Sequence, residues 1–311
     1  MDPYTRFEST GLAASKGPAV LILAGIHGDE CEPIAAALEL IKYLRANDLN
    51  KGQVTVVPVA NPSAFKSSRR EGTDGLDMAR VFPGRANGSE TERQAHEVHG
   101  LIAAADYLVD LHTGGTAMRL APFSGFFWHT DVGIRERQME MARVFGLKRI
   151  WATDARVEGR SLSSARDCGV PAIYAEMGGG GGFDPDTVAA YLKGCLNVLR
   201  WLGIVAGEVE EIQTKQDWIR DEAPESGDLD RLEVSPAEGL FVPSKRVGDV
   251  VETGDLIGTV WEIETRREYP VFSNAVGQIF MLRARALVDR NSRLYGIWPL
   301  DKFVKLDRGS I

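Results

Sequence analysis

Two segments of this chain carry residue types that can hold a metal ion. His27-Gly28-Asp29-Glu30 follows the apolar run Ala19 to Ile26, and a second apolar run, Tyr107 to Leu111, delivers His112. Two imidazoles and a carboxylate are the donor set of an open zinc site: three protein ligands, with the fourth position left to water. His27 and Glu30 stand three apart, so a helix starting there would put both on one face. Asp110, on the same strand face as His112, is placed to orient an imidazole by its other nitrogen. Taken singly, an H-x-x-E or a strand-end histidine is commonly structural. Their combination in a chain with 5 histidines favours a metal. His96 and His99 fall in a charged helical stretch and are expected to be solvated. His129, after Phe126-Phe127-Trp128, is expected to pack or to sit at a rim.

A metal that binds water does not hydrolyse an amide without a base to move the proton. Glu176 is the candidate. It ends the apolar run Ala172 to Ala175, where a carboxylate is costly unless it faces a polar site. Gly178 to Gly182 follow and would let a loop approach a substrate closely. Without the metal motif, the same residues read as a structural turn. Arg69, Arg70 and Arg80 are suited to polarising a carbonyl or gripping a carboxylate, although an arginine pair alone also suits a solvated loop.

Elements that would position these groups are legible in the pattern. Buried strands are expected at Ala19–Ile26, Gln53–Val59, Tyr107–Leu111, Arg149–Ala152 and Ala172–Glu176. Helical spacing covers Glu32–Leu49, Ser89–Ala104, Val132–Val144 and Pro185–Leu202, the last opened by Asp184 and stopped by Gly203. Strands alternating with helices predict an α/β fold with a largely parallel, covered sheet. In such sheets ligands gather at the carboxyl ends of strands. From 208 to 231 the chain is polar and reads as a connector. Beyond Val234, short β-rich pieces separated by Gly-Asp turns read as a small all-β domain. The expected division is 1–207 and 208–311. Loops at Ala121–Thr130 and Val157–Asp167 are expected to set specificity. Phe123, Phe126, Phe127 and Trp128 suit either an acyl pocket or a core cluster.

At 311 residues two domains are the prior. A net charge of -8 argues against non-specific nucleic-acid binding. The odd set Cys31, Cys168 and Cys195 lacks the spacing of a disulfide framework or zinc knuckle. No apolar run is long enough to span a membrane and the first residues lack a signal-like stretch, so a cytoplasmic protein is expected.

Several motifs occur together and in order: Gly25-Ile26-His27-Gly28-Asp29-Glu30, Asn61-Pro62, Asp77-Met78-Ala79-Arg80-Val81-Phe82-Pro83-Gly84, Asp110-Leu111-His112-Thr113-Gly114 and Glu176-Met177-Gly178-Gly179. In this the chain resembles the succinylglutamate desuccinylase/aspartoacylase family, over roughly residues 18 to 205, and its β-rich remainder resembles that family's C-terminal domain. The resemblance implies a zinc carboxypeptidase-like α/β fold: a mostly parallel or mixed sheet flanked by helices, with a smaller C-terminal all-β domain. It implies one Zn2+ per chain on His27, Glu30 and His112, with Glu176 as general acid/base. Arg69, or alternatively Arg70, would stabilise the oxyanion, and Arg80 would bind a substrate carboxylate. Thr113 would lie among the substrate contacts, and Arg166, ten residues before Glu176, would read a second carboxylate. One departure stands out. The family usually has Asn-Arg where this chain has Ala79-Arg80, which removes a hydrogen bond of ~1 kcal/mol or more to the substrate.

The reaction expected is amide hydrolysis of a small N-acyl amino acid or related amide. The competing readings are a metallocarboxypeptidase acting on small peptides or conjugates, and a binding protein that kept the pocket without the chemistry. The β-rich tail lacks a carrier-domain lysine turn, since Lys245 has no such context. It is read instead as a pocket wall or an oligomer surface.

Overall fold

The computed structural model describes residues 4–10, 17–210, 215–229 and 232–304. Met1 to Pro3 and parts of the expected connector, 211–214 and 230–231, lie outside the described residues. The N-terminal half contains β1 (Thr5–Glu8), β2 (Ala19–Leu23), α1 (Cys31–Ala46), β3 (Gln53–Val57), α2 (Pro62–Ser67), α3 (Glu90–Ala103) and β4 (Tyr107–His112). Next come β5 (Met118–Phe127), α4 (Val132–Phe145), β6 (Arg149–Thr153), α5 (Ser161–Asp167), β7 (Ala172–Gly179) and α6 (Pro185–Trp201). The remainder is β8 (Asp217–Arg220), β9 (Glu233–Val234), β10 (Gly239–Pro243), β11 (Val250–Val251), β12 (Leu256–Glu262), β13 (Arg267–Phe272), β14 (Gly277–Arg283), β15 (Leu287–Val288), β16 (Arg293–Pro299) and β17 (Phe303–Val304).

The main sheet runs β1-β3-β2-β4-β7-β5-β14-β16-β9. β3, β2, β4 and β7 run parallel to one another, whereas β1 is antiparallel to β3 and β5 is antiparallel to β7. The sheet is therefore mixed, within an α/β architecture. Alternation along the strands sorts the core into two layers. Val20, Ile22, Val109 and Ile173 face the layer built with α1, α4 and α6. Leu21, Leu23, Leu108 and Ala172 face the layer built with α3 and α5. Burying each of the Val, Leu and Ile side chains contributes ~1.5–3 kcal/mol, so the central strands are fixed on both faces. Local signals agree. Ser89 and Glu92 form a capping box on α3, and Asp184 caps α6 ahead of Pro185.

Three expectations change. The stretch expected to be the loop Ala121–Thr130 lies mostly in β5, where Pro122 falls in the register shift between Leu120 and Phe123. Proline cannot donate to the ladder, so this strand reads poorly in sequence. Similarly, Val157–Asp167 contains α5. The polar connector holds β8, which pairs with β6 and β17.

Beyond residue 207, four strands form a separate antiparallel sheet, β13-β12-β10-β15. β14 instead extends the main sheet through Met281, Leu282 and Arg283 on β5. Phe123, Trp151, Phe280 and Trp298 pack at that junction, with Phe280 and Trp298 stacked at 4.8 Å. Phe123 and Phe126 are thus core residues, while Phe127 lines the cavity described below. Among the described residues, no helix is long and apolar enough to cross a membrane.

Candidate metal centre and active-site cavity

His27 lies in the turn between β2 and α1, and Glu30 is the residue just before α1 begins. A tight loop, rather than helical spacing, brings the two together. The loop depends on Gly28: a Cβ there would stand 2.0 Å from the backbone of Ala64 on α2. His112 ends β4, and parallel pairing sets it opposite Glu176 on β7.

The Nδ1 atoms of both histidines converge on one carboxylate. His27 Nδ1 is 2.7 Å from Glu30 Oε1, and His112 Nδ1 is 3.2 Å from Glu30 Oε2. The opposite nitrogens face other carboxylates: His27 Nε2 lies 3.1 Å from Asp77 Oδ1, and His112 Nε2 lies 3.1 Å from Asp110 Oδ2. An imidazole that donates from Nε2 presents Nδ1 as an acceptor, and Glu30 is an acceptor too. Acceptors this close require a cation between them, either a proton or a metal. The ligand atoms of His27, Glu30 and His112 all lie within 4.8 Å of one another. Histidines held from behind by carboxylates are the usual surroundings of a metal. The donor set therefore fits a zinc-like ion.

Electrostatics follow the same geometry. Burial works to raise the Glu30 carboxyl, but the two histidines outweigh it and hold Glu30 well below the usual range. Burial also opposes the His112 cation, yet Asp110 and Glu30 hold it well above the ordinary imidazole value. Burial again opposes the charged form of Asp77. Its bond from His27 and the Arg70 charge prevail and keep it low.

Glu176 is the exception, because burial wins. Desolvation pushes its carboxyl to about 8 against the pull of His112, with Glu30 adding to the rise. Its Oε2 is buried without a hydrogen-bond partner among the described residues. Both His112 and Glu176 line a cavity of about 670 Å³, a volume suited to a small ligand.

The arginines separate. Arg70 Nε donates to Asp77 Oδ2 at 2.9 Å, and its Nη1 reaches within 4.0 Å of Glu30. Arg69 also lines the cavity but is exposed, and its carbonyl accepts from Gly28. Of the two, Arg70 faces the cluster, which reverses the sequence preference. Asp77 holds Arg70 there, and nothing in residue spacing reveals that bond. Arg80 lines the cavity and lies 3.8 Å from Asp77. Arg166 is not among the lining residues. Its guanidinium binds Glu158, Asp167 and the Ala155 carbonyl on the outer side of α5. The cationic residue that α5 brings to the cavity is Arg160, at its N-terminal edge.

Thr113 lines the cavity, gives its backbone N–H to Glu30 Oε2 at 3.0 Å, and uses its hydroxyl to accept from Gly115. His99 is half-buried rather than solvated, because it bonds Ser164 of α5 at 3.0 Å. Further contributors escaped sequence reasoning. Ser161 donates to Asp110, Tyr191 donates to the His112 carbonyl, and Asp228 bonds Arg160. Asp77 sat inside a recognised motif, but the others carry no local signal.

Comparison with known proteins agrees with this architecture. The model of the succinylglutamate desuccinylase/aspartoacylase catalytic domain matches residues 16–202. The chain is 31% identical to N-alpha-acetyl-L-2,4-diaminobutyric acid deacetylase of Halomonas elongata over 265 residues, covering 84% of this chain and 76% of that protein. It superposes on a succinylglutamate desuccinylase from a Silicibacter species with a TM-score of 0.83 at 26% identity, covering 94% of this chain and 87% of that one. The product-bound ectoine utilization protein EutE (DoeB) of Ruegeria pomeroyi gives a TM-score of 0.82 at 26% identity, with the same 94% and 87% coverage. The matched domain holds the His27, Glu30, His112 and Glu176 cluster, and the chain belongs to the succinylglutamate desuccinylase/aspartoacylase family.

Proposed function

We propose that this chain is a zinc-dependent deacylase that hydrolyses the amide bond of a small N-acyl amino acid. One observation carries the reading. Two histidine Nδ1 atoms meet the Glu30 carboxylate, and both histidines line one cavity with Glu176, whose carboxyl oxygen Oε2 is buried and unpartnered among the described residues. The names of its relatives, an N-acetyl-diaminobutyrate deacetylase and a succinylglutamate desuccinylase, support the same class of reaction.

His27, Glu30 and His112 would hold one zinc ion, with Asp77 and Asp110 fixing the imidazoles from behind. When bound, zinc supplies Lewis acidity that polarises the acyl oxygen and makes water nucleophilic near neutral pH. Glu176 Oε2 takes the proton of the attacking water and later returns it to the departing amine. Glu176 would be ionised before attack, as the positive charge of the bound ion beside it favours, and its buried surroundings would help it hold the proton until the amine departs. Arg70 donates to the developing oxyanion, held in place by Asp77. Arg80 binds a carboxylate of the amino-acid half. Residues 1–207 serve as the catalytic unit, and 208–311 add one wall of the cavity through Leu229, Met281 and Arg293.

The test is hydrolysis of N-acetyl-, N-succinyl- and longer acyl-amino acids by zinc-loaded protein, read by mass spectrometry beside a set of short peptides. Release of free amino acid from acyl-amino acids supports the reading. Cleavage of peptides alone would replace it with a metallocarboxypeptidase.

A further inference from the structure

The two candidate imidazole ligands are backed in different ways. Asp77, behind His27, also takes Arg70 Nε on its second oxygen at 2.9 Å, so a guanidinium shares its charge. Asp110, behind His112, is paired with no guanidinium or ammonium group among the described residues. Its Oδ2 lies 3.1 Å from His112 Nε2 and accepts from the Ser161 hydroxyl. Its Oδ1 is buried without a hydrogen-bond partner among the described residues. One oxygen therefore carries both contacts of a fully buried carboxylate, and one contact comes from a helix 51 residues further along the chain.

Ser161 is itself firmly placed. It is the first residue of α5, whose Leu162 and Ala165 are buried in the core layer that holds Leu108 and Ala172. The entry turn of α5 is closed by Ser163, whose hydroxyl accepts from the Arg160 N–H and donates to the Arg160 carbonyl. Ser164 then ties the helix to His99 of α3 at 3.0 Å. Ser161 is 4% exposed and lines the cavity together with Asp110 and His112. Its hydroxyl thus approaches Asp110 from a fixed direction.

The terminal torsion of an aspartate is soft, so its carboxylate turns readily unless a partner fixes it. A carboxylate that orients an imidazole does so only while it is itself oriented. We propose that Ser161 is a positioning residue of the metal centre: its hydroxyl pins Asp110 Oδ2 against His112 Nε2 and so keeps His112 Nδ1 aimed at the ion's place beside Glu30. This deepens the deacylase reading and rests on it for the metal. Metal affinity is then set in part from α5, the helix whose N-terminal edge also brings Arg160 to the cavity. Ser161 acts only through Asp110, so its effect vanishes when Asp110 is removed.

Metal affinity separates this role from turnover. Chelator-stripped wild type, Ser161→Ala, Asp110→Ala and the double variant would be titrated with zinc against a competing chromophoric chelator. Thermal midpoints of the stripped proteins check that each one folds. Asp110→Ala should lower zinc affinity by about 10–100-fold. Ser161→Ala should lower it by about three- to tenfold, the loss of one hydrogen bond. Once Asp110 is already alanine, Ser161→Ala should change affinity by less than about twofold, because the two residues act in series. Cobalt(II) loading tests Ser161→Ala without a second substitution: its visible absorption bands should shift from wild type as the His112 ring is released. Ser161→Ala protein within about twofold of wild-type zinc affinity overturns the proposal, as does an equal loss with and without Asp110. A cobalt spectrum identical to wild type also overturns it. Wild type that takes up no zinc removes the metal and this role together. If zinc affinity follows Ser161 while the wild type hydrolyses no acyl-amino acid, the role of Ser161 stands and the deacylase reading falls.

Discussion

His112 and Glu176 are direct partners across the parallel pair β4–β7. The hydrogen-bond register of two buried strands therefore sets the distance from a candidate metal ligand to the candidate base. Neither strand can slip by one residue without turning its apolar side chains to the wrong layer. The neighbouring pairs Val109–Ile173 and Leu111–Ala175 are fully buried and hold that register. Packing energy in the core thus becomes positional accuracy at the site.

Because Glu176 is held by the sheet rather than by a polar partner, Glu176→Gln is close to isosteric there. The amide cannot accept the proton from water. The variant should lose about 10²–10⁴ in kcat while retaining its zinc. Turnover by zinc-loaded Glu176→Gln protein within a few-fold of wild type would remove Glu176 from its role.

Asp77 serves two neighbours at once, His27 through one oxygen and Arg70 through the other. Asp77→Asn keeps the shape but loses the charge that fixes both. Zinc affinity should fall by about 10–100-fold, as when a carboxylate behind a metal-bound histidine is removed. Arg70→Met should reduce kcat by about 10²–10³, the cost of losing one oxyanion donor. Arg69→Met should change it little. Equal losses in the two arginine variants would remove the distinction drawn from their geometry.

Residues 1–207 were largely legible because burial and periodicity coincide there. The parallel strands read as unbroken apolar runs, and α3 and α6 carry their own caps. The candidate metal ligands were legible as residue types at strand ends, although the His27–Glu30 pair comes together through a loop instead of a helix. Contacts made at long sequence separation left no trace in the pattern. Arg160 meets Ala79 and Asp228 across 81 and 68 residues. Arg166, the arginine at the familiar spacing from Glu176, turns away because Glu158 and Asp167 attract it on the surface. A ten-residue strand, β5, was hidden by Pro122 and Gly125, which usually mark loops.

Metal binding should be coupled to stability. An ion that binds the folded site and not the unfolded chain contributes about 2.7 kcal/mol at a hundred times its Kd. Zinc added to chelator-stripped protein should raise the thermal midpoint and restore activity, with saturation at one ion per chain. His112→Ala should bind no zinc at that stoichiometry and show no zinc-dependent rise. A wild-type midpoint that ignores zinc would refute a metal on His27, Glu30 and His112.

The raised Glu176 carboxyl predicts a pH dependence with a definite sign. In the unfolded chain the group titrates near 4.5, and in the folded protein burial moves it to about 8. A carboxyl raised on folding favours the protonated form in the native state. Its contribution to stability is therefore fully present below the unfolded value and is lost as pH rises through the folded one. Glutamine carries no charge to desolvate, so Glu176→Gln lacks this loss. Glu30 and His112 are present in both proteins, and their shared titration largely cancels in the difference. For chelator-treated protein, the variant should gain thermal stability relative to wild type between about pH 5 and about pH 9, by scanning calorimetry. Zinc places positive charge beside the carboxylate and should narrow that gain. A difference that stays flat over this range would mean that Glu176 finds water or a partner in solution and titrates as an ordinary carboxylate.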